Sequence, residues 1–237
     1  EVVSAHQVTP HSRPYMAYLD IQCRGKTYIC GGFLVAENFV LMGAHCNGHE
    51  ISVMLGAHNI REREQSQQKI SMCHRIPHPQ CNKETTNNDI MLLQLAKRAK
   101  LNRRVDTIAL PRTSKKVKPG AMCSITGWGS TSKESNSTPA TLQEVDVVVM
   151  QDAACPRNPN RPYRYYNASS MMCVCVWGGG DPKKGKDSWE GDSGGSLMCG
   201  KTAQGIVSWR PPTPPGVYRR VSTFIPWIRA TMRRLQP

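Results

Sequence analysis

Acidic side chains are scarce in this sequence: 17 Asp and Glu stand against 31 Lys and Arg, a net charge of +14 over 237 residues. A field of that strength attracts polyanions over several ångströms at low salt. Long apolar runs are missing as well. None approaches the ~18 to 20 residues that span a bilayer, so no transmembrane segment is expected. The first residues also lack the basic region followed by an apolar one that marks a signal peptide, so either that peptide has been removed or none existed. No long repetitive tract occurs, which argues against disorder of the whole chain. Metal patterns are equally absent. His45, His49, His58, His74 and His78 form no HExxH motif, and Cys173 and Cys175 have the wrong spacing for a zinc hook, so no metal or other cofactor is expected.

What is present narrows the class. The length fits one large all-β domain or two small ones sharing an interface. The ten cysteines lie scattered along the chain, which favours an oxidised, secreted or granular setting and hence a removed signal peptide. Sequons at Asn136 and Asn167 agree with that placement. Basic residues cluster at Arg61 and Arg63, Lys97 to Arg104, Lys115 to Lys118, Lys183 to Lys186 and Arg229 to Arg234. No nucleic-acid motif accompanies them, so no specific nucleic acid is expected. A sulfated glycan suits them better, and a solvated basic surface without a dedicated ligand is the plain alternative.

Short β-branched or apolar runs recur between turn residues: Gly32 to Met42, Ile51 to Leu55, Ile90 to Leu95, Cys123 to Trp128, Leu142 to Met150, Gly205 to Trp209 and Gly216 to Val221. Their length and spacing predict strands of a barrel or sandwich, so the fold class is all-β. The carboxy-terminal segment differs. Phe224, Ile225, Trp227, Ile228 and Met232 fall near helical spacing, with arginines in the last turn, predicting one amphipathic helix packed on the barrel. The Pro- and Lys-rich stretch from Arg112 to Gly120 reads as a linker between two halves.

Acyl transfer by serine needs a hydroxyl, an imidazole, a carboxylate to orient it and backbone amides aimed at the oxyanion. Gly43-Ala44-His45-Cys46 follows an apolar run and holds the imidazole. Asn88-Asp89-Ile90 puts a carboxylate at the start of an apolar strand, where desolvation forces it to pair. Gly191-Asp192-Ser193-Gly194-Gly195 sets a serine in a glycine-rich turn, and Ser208-Trp209 ends another strand. In this order the four signals resemble the chymotrypsin-type serine proteases over essentially the whole chain. Pro10 to Tyr18, Cys30 to Val35, Leu55 to Ile60 and Asn88 to Leu95 resemble the granzyme, cathepsin G and mast-cell chymase branch.

The resemblance implies one trypsin-like domain over residues 1–237: two six-stranded antiparallel β-barrels at about 2–111 and 121–222, and a C-terminal α-helix at about 223–235. It implies His45, Asp89 and Ser193 as the catalytic triad, Gly191 and Ser193 as oxyanion-hole amides, and a freed Val2 amine paired with Asp192. It also implies bridges Cys30–Cys46, Cys123–Cys199 and Cys155–Cys173, while Cys23, Cys73, Cys81 and Cys175 have no family partner and could bridge, link subunits or stay free. Trp189 stands where most of the family has a further cysteine. The expected partners are protein substrates, heparin-like sulfated proteoglycan and serpin-type inhibitors, in immune-cell secretory granules.

Substrate-pocket residues follow as Asp187, Ser188, Glu190, Ser208, Trp209, Arg210 and Gly216. Asp187 at the pocket base matches members that select Arg or Lys. Arg210 replaces a glycine at the pocket mouth, and two readings stand: it reaches inward to Asp187 as a tethered plug, or it points to solvent, with the Arg210-to-Pro215 loop narrowing the site. Met42-Gly43 replaces Thr-Ala, Ser196 a proline, and Ser4-Ala5 two glycines. Glu1 resembles the last residue of this branch's propeptides, and two readings stand: a zymogen-like form, or a genuinely shifted start. The rival reading is a weakly catalytic cationic protein on a protease scaffold that binds heparin or bacterial surfaces.

Overall fold

A computed structural model describes residues 6–112, 116–128, 140–155, 165–176, 195–209 and 216–236. A short strand, β1 (His6–Gln7), precedes the first barrel, formed by β2 (Met16–Cys23), β3 (Lys26–Ala36), β4 (Phe39–Met42), β5 (Glu50–Leu55), β6 (Gln68–Pro77) and β7 (Met91–Leu95). These close in the order β2-β3-β4-β7-β6-β5, with β5 returning to pair with β2. The second barrel comprises β8 (Met122–Gly127), β9 (Gln143–Val149), β10 (Met171–Val176), β11 (Ser196–Cys199), β12 (Thr202–Trp209) and β13 (Gly216–Arg220). Its order is β9-β10-β13-β12-β11-β8, closed by pairing of β8 with β9, and β1 adds to β9. All the pairings between strands are antiparallel.

Side-chain alternation explains where the cores lie. In β5 every second residue, Ile51, Val53 and Leu55, points inward, the period-2 signature of a strand with one buried face. In β4 all four residues are buried, because both faces are covered. Val40 and Met42 fill the first barrel with Leu19, Leu34 and Leu93. Phe39 and Leu41 face the other way and join Phe33, Ile90, Leu92, Ile206, Phe224 and Ile228 between the barrels and beneath the helix. Ile125, Val145, Val147, Leu197, Val207 and Tyr218 fill the second barrel.

The run from Gly32 to Met42 is two strands rather than one, since Glu37 and Asn38 form the turn between β3 and β4. The terminal helix, α1 (Ile225–Leu235), follows a 3-10 turn over Val221–Phe224 and carries a proline in its first turn and Arg233 and Arg234 in its last. Proline is tolerated there because its missing N–H would have no intrahelical partner. Ile225, Ile228 and Thr231 are buried, and Trp227 and Met232 pack on the interface cluster. Among the described residues no helix is long and apolar enough to cross a membrane.

Candidate active site

His45 lies in a 3-10 turn, Ala44–Cys46, directly after β4. A disulfide from Cys46 to Cys30 fixes this turn to β3. Gly43 supplies the room the imidazole occupies: a Cβ there would stand 2.6 Å from His45 Cε1 and 2.8 Å from Nδ1. Asp89 comes from the other side of the turn region, at the entry to β7. The chain reaches it through left-handed backbone at Thr86 (φ 58°) and Asn88 (φ 54°), a conformation Asn adopts readily and β-branched Thr rarely.

The structure brings these two residues together across 44 positions of sequence. Asp89 Oδ1 accepts the His45 backbone N–H at 2.8 Å, and Oδ2 lies 2.7 Å from His45 Nδ1. Asp89 has 5% of its side chain exposed and His45 31%. A carboxylate so shielded needs charge-assisted donors. The acceptor at Nδ1 keeps a proton on that nitrogen and leaves Nε2 with its lone pair on the accessible side of the ring.

The second barrel carries the other expected site segments. The carbonyl of Gly195, two residues after Ser193 in sequence, accepts the Val207 amide of β12 at 3.1 Å. Ser208 and Trp209 end β12 and Gly216 opens β13, with Trp209 paired to Val217. Val2, Asn136, Asp187, Ser188, Glu190, Gly191, Asp192, Ser193 and Arg210 lie outside the described residues. Asn167 is described: its Oδ1 accepts from the Ser169 amide at 3.0 Å and hydroxyl at 2.7 Å, in a turn before β10.

The cysteines pair as Cys30–Cys46, Cys123–Cys199 and Cys155–Cys173. Cys23, Cys73, Cys81 and Cys175 are free thiols. Burial pushes the Cys175 thiol above its ordinary range, and burial followed by Asp89 does the same for Cys81.

Sequence reasoning missed three features in whole or in part. Arg13 makes a two-point contact with Glu144 of β9, Nε to Oε2 at 2.8 Å and Nη2 to Oε1 at 2.9 Å. A groove of about 820 Å³ gathers Lys69, Lys97, Arg98, Lys100, Arg103 and Arg104; the Lys97-to-Arg104 cluster signalled its charge, but Lys69 joins only through the fold. Arg219 is fully buried in β13, and its only sequence signal was an arginine pair inside an apolar run.

Known proteins resemble this chain along nearly all of its length. The family model Trypsin matches residues 2–228. Duodenase-1 of Bos taurus is 49% identical over 236 residues, covering 99% of this chain and 90% of the relative. Cathepsin G of Homo sapiens is 46% identical over 235 residues, covering 98% and 88%. The solved structure of GrC, a granzyme C, superposes with a TM-score of 0.86 at 43% identity, covering 97% of this chain and 98% of that one. With both barrels, the helix and this match, the chain belongs to the trypsin family and is a serine endopeptidase related to the granzymes and cathepsin G.

Proposed function

We propose that Ser193 is the nucleophile of a triad completed by His45 and Asp89. The observation that carries this reading is the buried Asp89 carboxylate, holding His45 through its backbone N–H at 2.8 Å and its Nδ1 at 2.7 Å. That arrangement leaves Nε2 to take the Ser193 proton as the hydroxyl oxygen attacks the scissile carbonyl. The oxyanion that forms is met by the amides of Gly191 and Ser193. The imidazolium then gives its proton to the departing amine, leaving an acyl-serine. Water, deprotonated by the same nitrogen, attacks the ester, releases the acid and returns the proton to Ser193. Once Glu1 is removed, the freed Val2 amine pairs with Asp192 and supports the hole.

Specificity follows from Asp187, whose carboxylate selects arginine or lysine side chains by a charge-assisted hydrogen bond. Ser188, Glu190 and Gly216 line that pocket, and Ser208-Trp209 offers a strand end for extended substrate. Arg210 either plugs the pocket or faces solvent, and Arg210→Gly separates the two: faster arginine-substrate cleavage identifies a plug, and an unchanged rate excludes it. Peptides ending in Arg, Lys or Phe before a chromogenic leaving group test the preference. Asp187→Ser should lower kcat/KM for the Arg peptide by at least ~100-fold, because the guanidinium loses its charged partner; retained Arg cleavage would refute the assignment. Relatives named granzyme, cathepsin G and mast cell protease support a secretory-granule setting; serpin-type inhibitors are proposed as partners from the family resemblance alone.

A second role, binding heparin-like sulfated glycan, is favoured by the groove that collects Lys69, Lys97, Arg98, Lys100, Arg103 and Arg104. Replacing Lys97, Arg98 and Lys100 by Gln should lower the salt needed for elution from immobilised heparin while turnover stays constant. Unchanged elution would remove the groove from the account. If turnover proved negligible in the intact protein, this binding role would become the primary one.

A further inference from the structure

Arg219 is 0% exposed and ranks among the largest fully buried side chains of the molecule. On β13 it stands directly opposite Ile206 of β12, and paired residues of adjacent strands share a face. Tyr218 beside it points into the second barrel, whereas Ile206 belongs to the apolar cluster shared with Phe33, Ile90 and Leu92 of the first. Arg219 therefore leaves the second barrel toward the first. There its Nη2 donates a hydrogen bond to the carbonyl of Thr86, three residues before Asp89 and within the left-handed stretch that delivers that carboxylate.

Burial lowers the Arg219 pKa to about 10, opposed by the carboxylate of Asp89 and then by Cys81, so the guanidinium is charged at neutral pH. Cys81, in the loop after β6, is held neutral by burial and by Asp89, opposed by Arg219 and by exposed Lys83. His78, from the same loop, donates its amide to the carbonyl of Ile90, next to Asp89. Arg219 is a buried cation whose pKa the Asp89 carboxylate raises.

We propose that Arg219 is a positioning residue for the catalytic pair: its hydrogen bond to the Thr86 carbonyl ties the Asp89 loop to the second barrel. The inference rests on His45 and Asp89 serving as base and orienting carboxylate. Its consequence is a fixed Asp89 carboxylate and, through the two contacts that carboxylate makes, a fixed His45 ring.

The test is steady-state hydrolysis of a chromogenic peptide by the wild type, Arg219→Met and Arg219→Lys. Met removes the donor to Thr86, so kcat should fall at least ~10-fold through misplacement of the pair, with KM within about twofold. Lys keeps a donor and should recover most of kcat. Unchanged kcat in Arg219→Met, or a Lys variant as slow as Met, overturns the proposal. Arg219→Gln replaces Met if that variant does not fold. His45→Ala is assayed in parallel: retained turnover there means that the triad reading has failed, a result distinct from unchanged kcat in an enzyme that depends on His45.

Discussion

Asp89→Asn is the substitution whose effect the geometry constrains most tightly. The carboxylate accepts from two donors of one residue, the backbone N–H of His45 at 2.8 Å and its Nδ1 at 2.7 Å, with 5% of the side chain exposed. An amide of the same shape has one acceptor oxygen. If it serves the backbone N–H, its NH2 group faces Nδ1, and the imidazole satisfies that donor only by moving its proton to Nε2. The nitrogen that should receive the Ser193 proton then already carries one. A base locked in the wrong tautomer loses about 10⁴-fold in kcat, equivalent to about 5 kcal/mol on the barrier. KM should stay within about threefold, because the buried carboxylate is not a substrate contact. The assay is steady-state hydrolysis of a chromogenic peptide, with rates normalised to protein folded by circular dichroism and checked against His45→Ala. A folded Asp89→Asn enzyme within about tenfold of wild-type kcat would refute the reasoning.

Other predictions concern stability and thiol chemistry. Glu144→Gln removes one charge from the two-point Arg13 contact, which also receives the Thr126 hydroxyl at 3.2 Å; Arg13 is partly exposed, so the loss should be about 1 to 2 kcal/mol in urea unfolding. Burial lowers the His58 pKa, with Glu64 opposing, so the unfolded chain binds that proton more readily. Stability should fall as pH drops below the ordinary imidazole range of ~6.5, and His58→Asn should flatten urea midpoints measured between pH ~7.5 and ~5. Without reductant, the four free cysteines should titrate in denaturant. In the native protein exposed Cys73 should react first and buried Cys175 last, read by iodoacetamide labelling and peptide mapping.

The parts of the fold that could be read from sequence are those where burial is one-sided or complete over a short run. β5 alternates cleanly and β7 is nearly continuous in apolar residues, so both stand out. β6 does not, because only Ile70 of its ten residues is buried and Gln68, Lys69, Ser71, His74 and Arg75 break up its apolar side chains. β2 mixes Asp20 and Gln22 into its run, and β10 is rich in methionine and cysteine rather than β-branched side chains. The helix was legible from its spacing, but the 3-10 turn ahead of it moved its start to Ile225. His45 and Asp89 were each suggested by local context: an imidazole next to a clamped cysteine, and a carboxylate opening an apolar strand. Arg219 could not be found that way, since its neighbours Thr86 and Asp89 are more than a hundred positions distant and meet it only when the barrels dock.

The most direct measurement of the central claim is reaction with a biotinylated fluorophosphonate, followed by intact mass and a peptide map, on the chain trimmed of Glu1 and on its His45→Ala variant. The account predicts one adduct per chain, located on Ser193, and a rate of labelling that collapses when the imidazole is removed. Labelling elsewhere, or labelling of Ser193 that proceeds equally well without His45, would contradict it.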